Sequence, residues 1–175
     1  NTVGTTYTAT RLMLAGDTEG AVAFAINFTD VAGNAGTQVT AVTAGSNVTF
    51  DETAPSGYTV SIDQAYANTT TEAAMSFTFA GAEVGASYNY SIDDTNGGTA
   101  AVTGSGVVAT ATDTISGIDV SSLDDDTLTL TVYLTDPAGN QGGNTTDTVT
   151  KDTVAPTLSP VTIASNNADT TLAKA

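Results

Sequence analysis

Thr29-Asp30-Val31-Ala32-Gly33-Asn34-Ala35-Gly36 returns later in the chain as Thr135-Asp136-Pro137-Ala138-Gly139-Asn140-Gln141-Gly142. Each copy leads through an alternating stretch into an acidic Asp-x-x-Ala-Pro unit. The first is Asp51-Glu52-Thr53-Ala54-Pro55 and the second Asp152-Thr153-Val154-Ala155-Pro156. After each proline comes a Val-x-Ile strand start, Val60-Ser61-Ile62 and then Val161-Thr162-Ile163. Asp136 lies 106 residues after Asp30, and Asp152 lies 101 after Asp51, so the copies differ by a five-residue indel. Three motifs in one order at one spacing mark an internal repeat of about 100 residues.

Between the two Asp-x-x-Ala-Pro units lies one complete repeat, residues 55–153. Period-two alternation predicts its strands. The first covers residues 57–63. Residues 73–80 (AAMSFTFA) set Met75, Phe77 and Phe79 on one face, and residues 87–93 (SYNYSID) align Tyr88, Tyr90 and Ile92. Residues 94–98 (DTNGG) form a turn from residue types that tolerate positive φ. Strands follow at 99–103, 107–111 and 128–135, the last with Leu128, Leu130, Val132 and Leu134 facing inward, and a final one at 144–150. Short strands with turns every 8–12 residues or so are the mark of an all-β, immunoglobulin-like β-sandwich, here in tandem. The flanks are parts of neighbours. Residues 1–54 match the C-terminal part of a repeat, with strands at 6–12, 21–30 and 38–50, and residues 154–175 match the start of the next.

Composition agrees. Thr, Val, Gly and Asn are poor in helix interiors and suit strands and turns. Against 19 Asp plus Glu stand only Arg11, Lys151 and Lys174, a net charge of −16 across 175 residues. Such a surface repels nucleic acid and anionic lipid and attracts cations. Of the 19 acids, 15 are Asp, which favours turns and strand ends, where oxygen ligands for Ca2+ collect. No apolar run is long enough to span a membrane as a helix. With no His and no Cys, the common acid–base and thiol schemes are absent, and three basic residues leave phosphate chemistry without cationic partners. The reading is of a protein that is not an enzyme.

At Thr-Asp-x-Ala-Gly-Asn followed by Asp-x-x-Ala-Pro, the chain resembles the bacterial immunoglobulin-like tandem repeats of large surface adhesins and biofilm-associated proteins. Residues 115–126 (ISGIDVSSLDDD) resemble that family's loop before its penultimate strand, with Asp125-Asp126 where Asp-Gly is usual. The resemblance implies an extracellular structural spacer on the cell surface, partnered by neighbouring repeats and stiffened by Ca2+ at domain junctions.

Two readings of the acidic motifs stand side by side. In the plain one, Asp30 and Asp136 close their own turns by accepting backbone N–H bonds. In the sharper one they are also Ca2+ ligands, meeting the linker acids Asp51 and Glu52, or Asp152, and an oxygen of the next domain. The Asp17–Gly20 turn and the run Asp124-Asp125-Asp126 are further candidates. The Ala-Pro step makes a short, stiff linker, because proline fixes φ and pushes its predecessor to extended geometry. The alternative function is a self-assembling filament, a homopolymer in which residues 158–163 of one subunit insert into the open sandwich of the next. A carbohydrate-binding module is a third class, and would require an exposed aromatic platform.

Overall fold

The computed structural model describes residues 9–160, and its regular elements among them are nine β-strands: β1 Gly20–Ala21, β2 Thr49–Phe50, β3 Thr59–Ile62, β4 Met75–Ala80, β5 Ser87–Asp94, β6 Val102–Val107, β7 Thr114–Ile118, β8 Thr127–Thr135 and β9 Thr145–Thr150. No helix occurs among the described residues. The strands from β3 to β9 form two antiparallel sheets, a three-stranded one ordered β3-β4-β7 and a four-stranded one ordered β6-β5-β8-β9. Alternation drives their packing. Met75, Phe77 and Phe79 of the first sheet meet Tyr88, Ile92, Leu128, Leu130, Val132 and Leu134 of the second in one buried core. Burying each such aliphatic or aromatic side chain stabilises by about 1.5–3 kcal/mol before chain entropy is counted. Beyond β3 the chain crosses to the other sheet, where Ala67 bridges Lys151 in parallel and exchanges backbone hydrogen bonds with Thr150 and Asp152. The strands from Thr59 to Thr150 thus pack as a two-layer sandwich.

Within the sandwich, two sequence expectations need correction. The strands expected at 99–103 and 107–111 are one strand, β6, running through Gly104 and Gly106. Those glycines are not breaks. They pair with Tyr90 and Tyr88 on β5, and a Cβ at either would stand 2.5 Å from the tyrosine side chain above it. The rings lie across the edge strand and join Phe77 and Phe79 in an aromatic cluster with centroids 5.3–5.7 Å apart. The second correction is β7, expected as loop, which pairs with β4 from Met75 to Thr78. Its sequence TISGI buries only Ile118 fully, and Gly117 carries a positive φ of 76°, so period-two alternation is faint.

Residues 9–54 repeat the last hairpin of the sandwich. Ile26 bridges Val39 where Val132 pairs with Thr145, and Val22 donates to Val48 O where Leu128 pairs with Val149. Only β1 and β2 are regular there, against the longer strands expected at 21–30 and 38–50. Residues 9–12 are not strand, while residues 6–8 and 161–163 of the expected strands lie outside the described residues. The reason is packing. Leu130, Val132 and Leu134 are 0% exposed, whereas their counterparts Phe24, Ile26 and Phe28 are 37%, 54% and 53% exposed. A hairpin with one bare apolar face lacks the burial that holds long strands in register.

Candidate inter-repeat junction

Both copies of the Thr-Asp-x-Ala-Gly-Asn motif fold into the same turn. At the first, Asn34 N and Nδ2 donate to Asp30 Oδ1 and Oδ2, each at 2.8 Å, and Asp30 N donates to Asn34 O at 2.9 Å. At the second, Gly139 N and Asn140 N donate to Asp136 Oδ1 at 2.7 and 2.9 Å, and Asn140 Nδ2 donates to Oδ2 at 2.8 Å. Gly33 and Gly139 supply the left-handed step, with φ of 90° and 100°. These donors hold the Asp30 carboxyl below its ordinary range, the Asn34 side chain foremost. At Asp136 burial pushes the carboxyl up, but the donors from Asn140 and Gly139 outweigh it and the net shift is downward.

The linker acids are tied in as well. Asp51 Oδ1 accepts from Thr53 N at 3.0 Å, and Asp152 Oδ1 accepts from Val154 N at 2.9 Å. A carboxylate from the same repeat clasps each linker. Glu19 accepts from Glu52 N at 2.9 Å and from the Thr53 hydroxyl at 2.7 Å. Asp125 accepts from Thr153 N at 2.9 Å and from its hydroxyl at 2.9 and 3.0 Å. Glu19 and Asp125 stand 106 residues apart, so this clasp repeats with the scaffold. Thr53 and Glu52 lower the Glu19 carboxyl, and Thr153 lowers that of Asp125.

Asp51 and Asp136 come to the same end of the complete sandwich, where Asn140 Nδ2 donates to the Asp51 carbonyl at 3.0 Å. Asp152 leaves the opposite end, beside Thr127, because β8 and β9 run antiparallel. By the same register Asp30 lies at the far end of its hairpin from Asp51. The five candidate ligands Asp30, Asp51, Glu52, Asp136 and Asp152 are therefore spread over three chain ends. Among the described residues no three Asp or Glu side chains gather into a group that could hold a metal. Ca2+ takes six to eight oxygens, and this donor set does not fit it.

Sequence reasoning missed one residue of weight. Lys151 is buried, its Nζ donating to Val120 O at 3.0 Å, Ser121 O at 3.2 Å and Leu123 O at 2.7 Å, and pairing with Glu72 at 2.9 Å. Its counterpart in the first copy is Phe50, so no repeated motif points to it. Asp94 is buried too, and accepts from Asn96 N, Gly97 N, Thr99 Oγ1 and Asp124 N at 3.0–3.2 Å. A groove on the outer face of the larger sheet is lined by residues such as Asn89, Ser91, Thr131 and Tyr133, with no acid, lysine or arginine in it.

No family model and no curated protein matches this chain. Among solved structures, it is similar to one described as a tetra-tandem repeat in the extending region of a large adhesion protein. The identity is 26%, the match covers 81% of this chain and 34% of that one, and the TM-score is 0.48. The chain thus spans about a third of that structure's length. A likeness at that score carries neither fold nor function; the fold rests on the strand order and contacts above.

Proposed function

We propose that this chain is a stretch of immunoglobulin-like repeats serving as a structural spacer of a bacterial surface adhesin, outside the cell. One observation carries the reading: the same hairpin, turn and carboxylate clasp occur twice in series, joined by a short proline-ended linker. Stacked repeats of this kind contact only their neighbours, which extends the molecule along one axis. The immunoglobulin-like assignment is supported by the strand order and by the chain crossing after β3 to run parallel to the end of β9. Catalysis has no part in the proposal. Among the described residues no helix is long and apolar enough to cross a membrane. Stiffness here comes from the clasped linker.

Small-angle scattering of two head-to-tail copies of residues 55–153 tests the spacer. The expected maximum dimension is about twice that of one repeat. A folded-back pair no longer than a single repeat would contradict it.

The bare face of Phe24, Ile26 and Phe28 favours one second reading. A spacer covers it with the front half of a repeat from the same polypeptide, as β3 and β4 of the facing sheet cover the equivalent face. A filament covers it with a segment of another molecule. Sedimentation of the 175-residue chain separates them: concentration-dependent polymers support the filament, and a monomer sinks it.

A further inference from the structure

The repeated turn is more than a turn. Asn140 Nδ2 divides its donors between Asp136 Oδ2, at 2.8 Å, and the carbonyl of Asp51 in the linker, at 3.0 Å. Two residues on, Gly142 leaves the space through which the linker passes. A Cβ at Gly142 would stand 2.3 Å from the Pro55 carbonyl oxygen, a backbone atom with little room to give way. Gly142 has no positive φ, so that contact, not backbone freedom, is what requires glycine there. Past Pro55 the chain is pinned again, by the Tyr58 hydroxyl donating to Gly143 O at 2.7 Å and accepting from Leu134 N at 3.2 Å.

We propose that residues 136–142 are a socket for the extended linker of the preceding repeat, and that this grip fixes the angle between repeats without a metal ion. Pro55 has no N–H, and those of Glu52 and Thr53 are already taken by Glu19 and Asp51, so the Asp51 carbonyl is a handle that remains, and a carbonyl needs a donor. The Asn amide supplies it; an Asp in that place could not. The Asp136 carboxylate is a positioning residue that aims the amide at Asp51. This explains why Thr-Asp-x-Ala-Gly-Asn-x-Gly and Asp-x-x-Ala-Pro travel together. The first copy is the internal comparison: Asn34 Nδ2 donates to Asp30, and Gly36 faces the Phe28 ring where Gly142 faces the linker. Residues 30–36 are a second socket, for another Asp-x-x-Ala-Pro segment.

The inference concerns how repeats are held, and so rests on the spacer reading, but its test is separate. Backbone 15N relaxation on the full chain reads the order of linker residues 52–54. We expect order parameters near about 0.85 in the parent chain, falling below about 0.6 in Asn140→Ala and in Gly142→Ala. The second variant keeps every bond of the turn and only blocks the linker's path, so it separates a lost grip from a damaged turn. Asn34→Ala, which touches no linker here, should leave the order of residues 52–54 unchanged. Linker order preserved in either Asn140→Ala or Gly142→Ala would overturn the socket, as would equal loosening by Asn34→Ala. Scattering from the two-repeat chain would still report on the spacer itself.

Discussion

Lys151→Met removes a buried cation while keeping much of its volume. The carbonyls of Ser121 and Leu123 then lose their donor, that of Val120 keeps only Leu123 N, and Glu72, whose side chain is only 20% exposed, loses its partner at 2.9 Å. An unpaired buried carbonyl costs about 1–3 kcal/mol, and breaking a buried ion pair from one side costs about 3–5 kcal/mol. These overlap, so the expected loss is about 3–5 kcal/mol, a large share of the 5–15 kcal/mol or so that stabilises a domain. At about 4–8 °C per kcal/mol for a domain near 100 residues, Tm should fall by more than about 12 °C. Chemical denaturation followed by circular dichroism, with Thr148→Ala as an exposed control, measures it. The control should move by no more than about 0.5 kcal/mol. A loss below about 1 kcal/mol for Lys151→Met would refute the reasoning, and would mean the loop at 120–123 re-forms its bonds with water. A double-mutant cycle with Glu72→Gln isolates the pair from the carbonyl contacts.

Gly104→Ala should destabilise by about 1–3 kcal/mol, because its Cβ would drive the Tyr90 ring off the edge strand; urea midpoints of the two proteins decide it. Acid should unfold the repeat. Asp94, Asp125, Asp126 and Asp136 have folded pKa values below their unfolded ones, so the unfolded state binds more protons through that window. Their stabilisation is full above the unfolded value of about 4 and is lost as pH falls through the lowered folded values. Asp94→Asn should flatten that acid limb, as followed by Tm between pH 2 and 6 or so in about 0.15 M salt, which damps the repulsion of the acidic surface. Millimolar Ca2+ and excess chelator should give the same Tm; a fall on chelation that Ca2+ but not Mg2+ restores would show that the scattered carboxylates do gather an ion.

Much of the sandwich was legible because its strongest strands obey simple rules. Leu128, Leu130, Val132 and Leu134 alternate without a break, and they form the floor of the core as read. The paired motifs announced the turn that the structure shows twice, at residues 30–34 and 136–140. What escaped reading has physical causes. Gly104 and Gly106 look like breaks until Tyr88 and Tyr90 are seen lying on them, a cross-strand relation that no local window contains. β7 failed because one buried side chain in five leaves no period to detect. At the junction, the turn-closing role of Asp30 and Asp136 followed from residue type alone. The grip of Asn140 on Asp51 did not, since its acceptor is a backbone carbonyl that every residue possesses. Lys151 carried no repeated signal, because Phe50 stands at its place in the other copy.

The account rests on one closed repeat beside one hairpin whose apolar face is bare, and amide hydrogen exchange on the 175-residue chain compares the two directly. The amides of Val132 and Leu134 should exchange only by global unfolding, while those of Ile26 and Gly36 should exchange orders of magnitude faster, through local opening. Equal protection at the two sets of positions would contradict it, and would mean that something already covers the face of Phe24, Ile26 and Phe28.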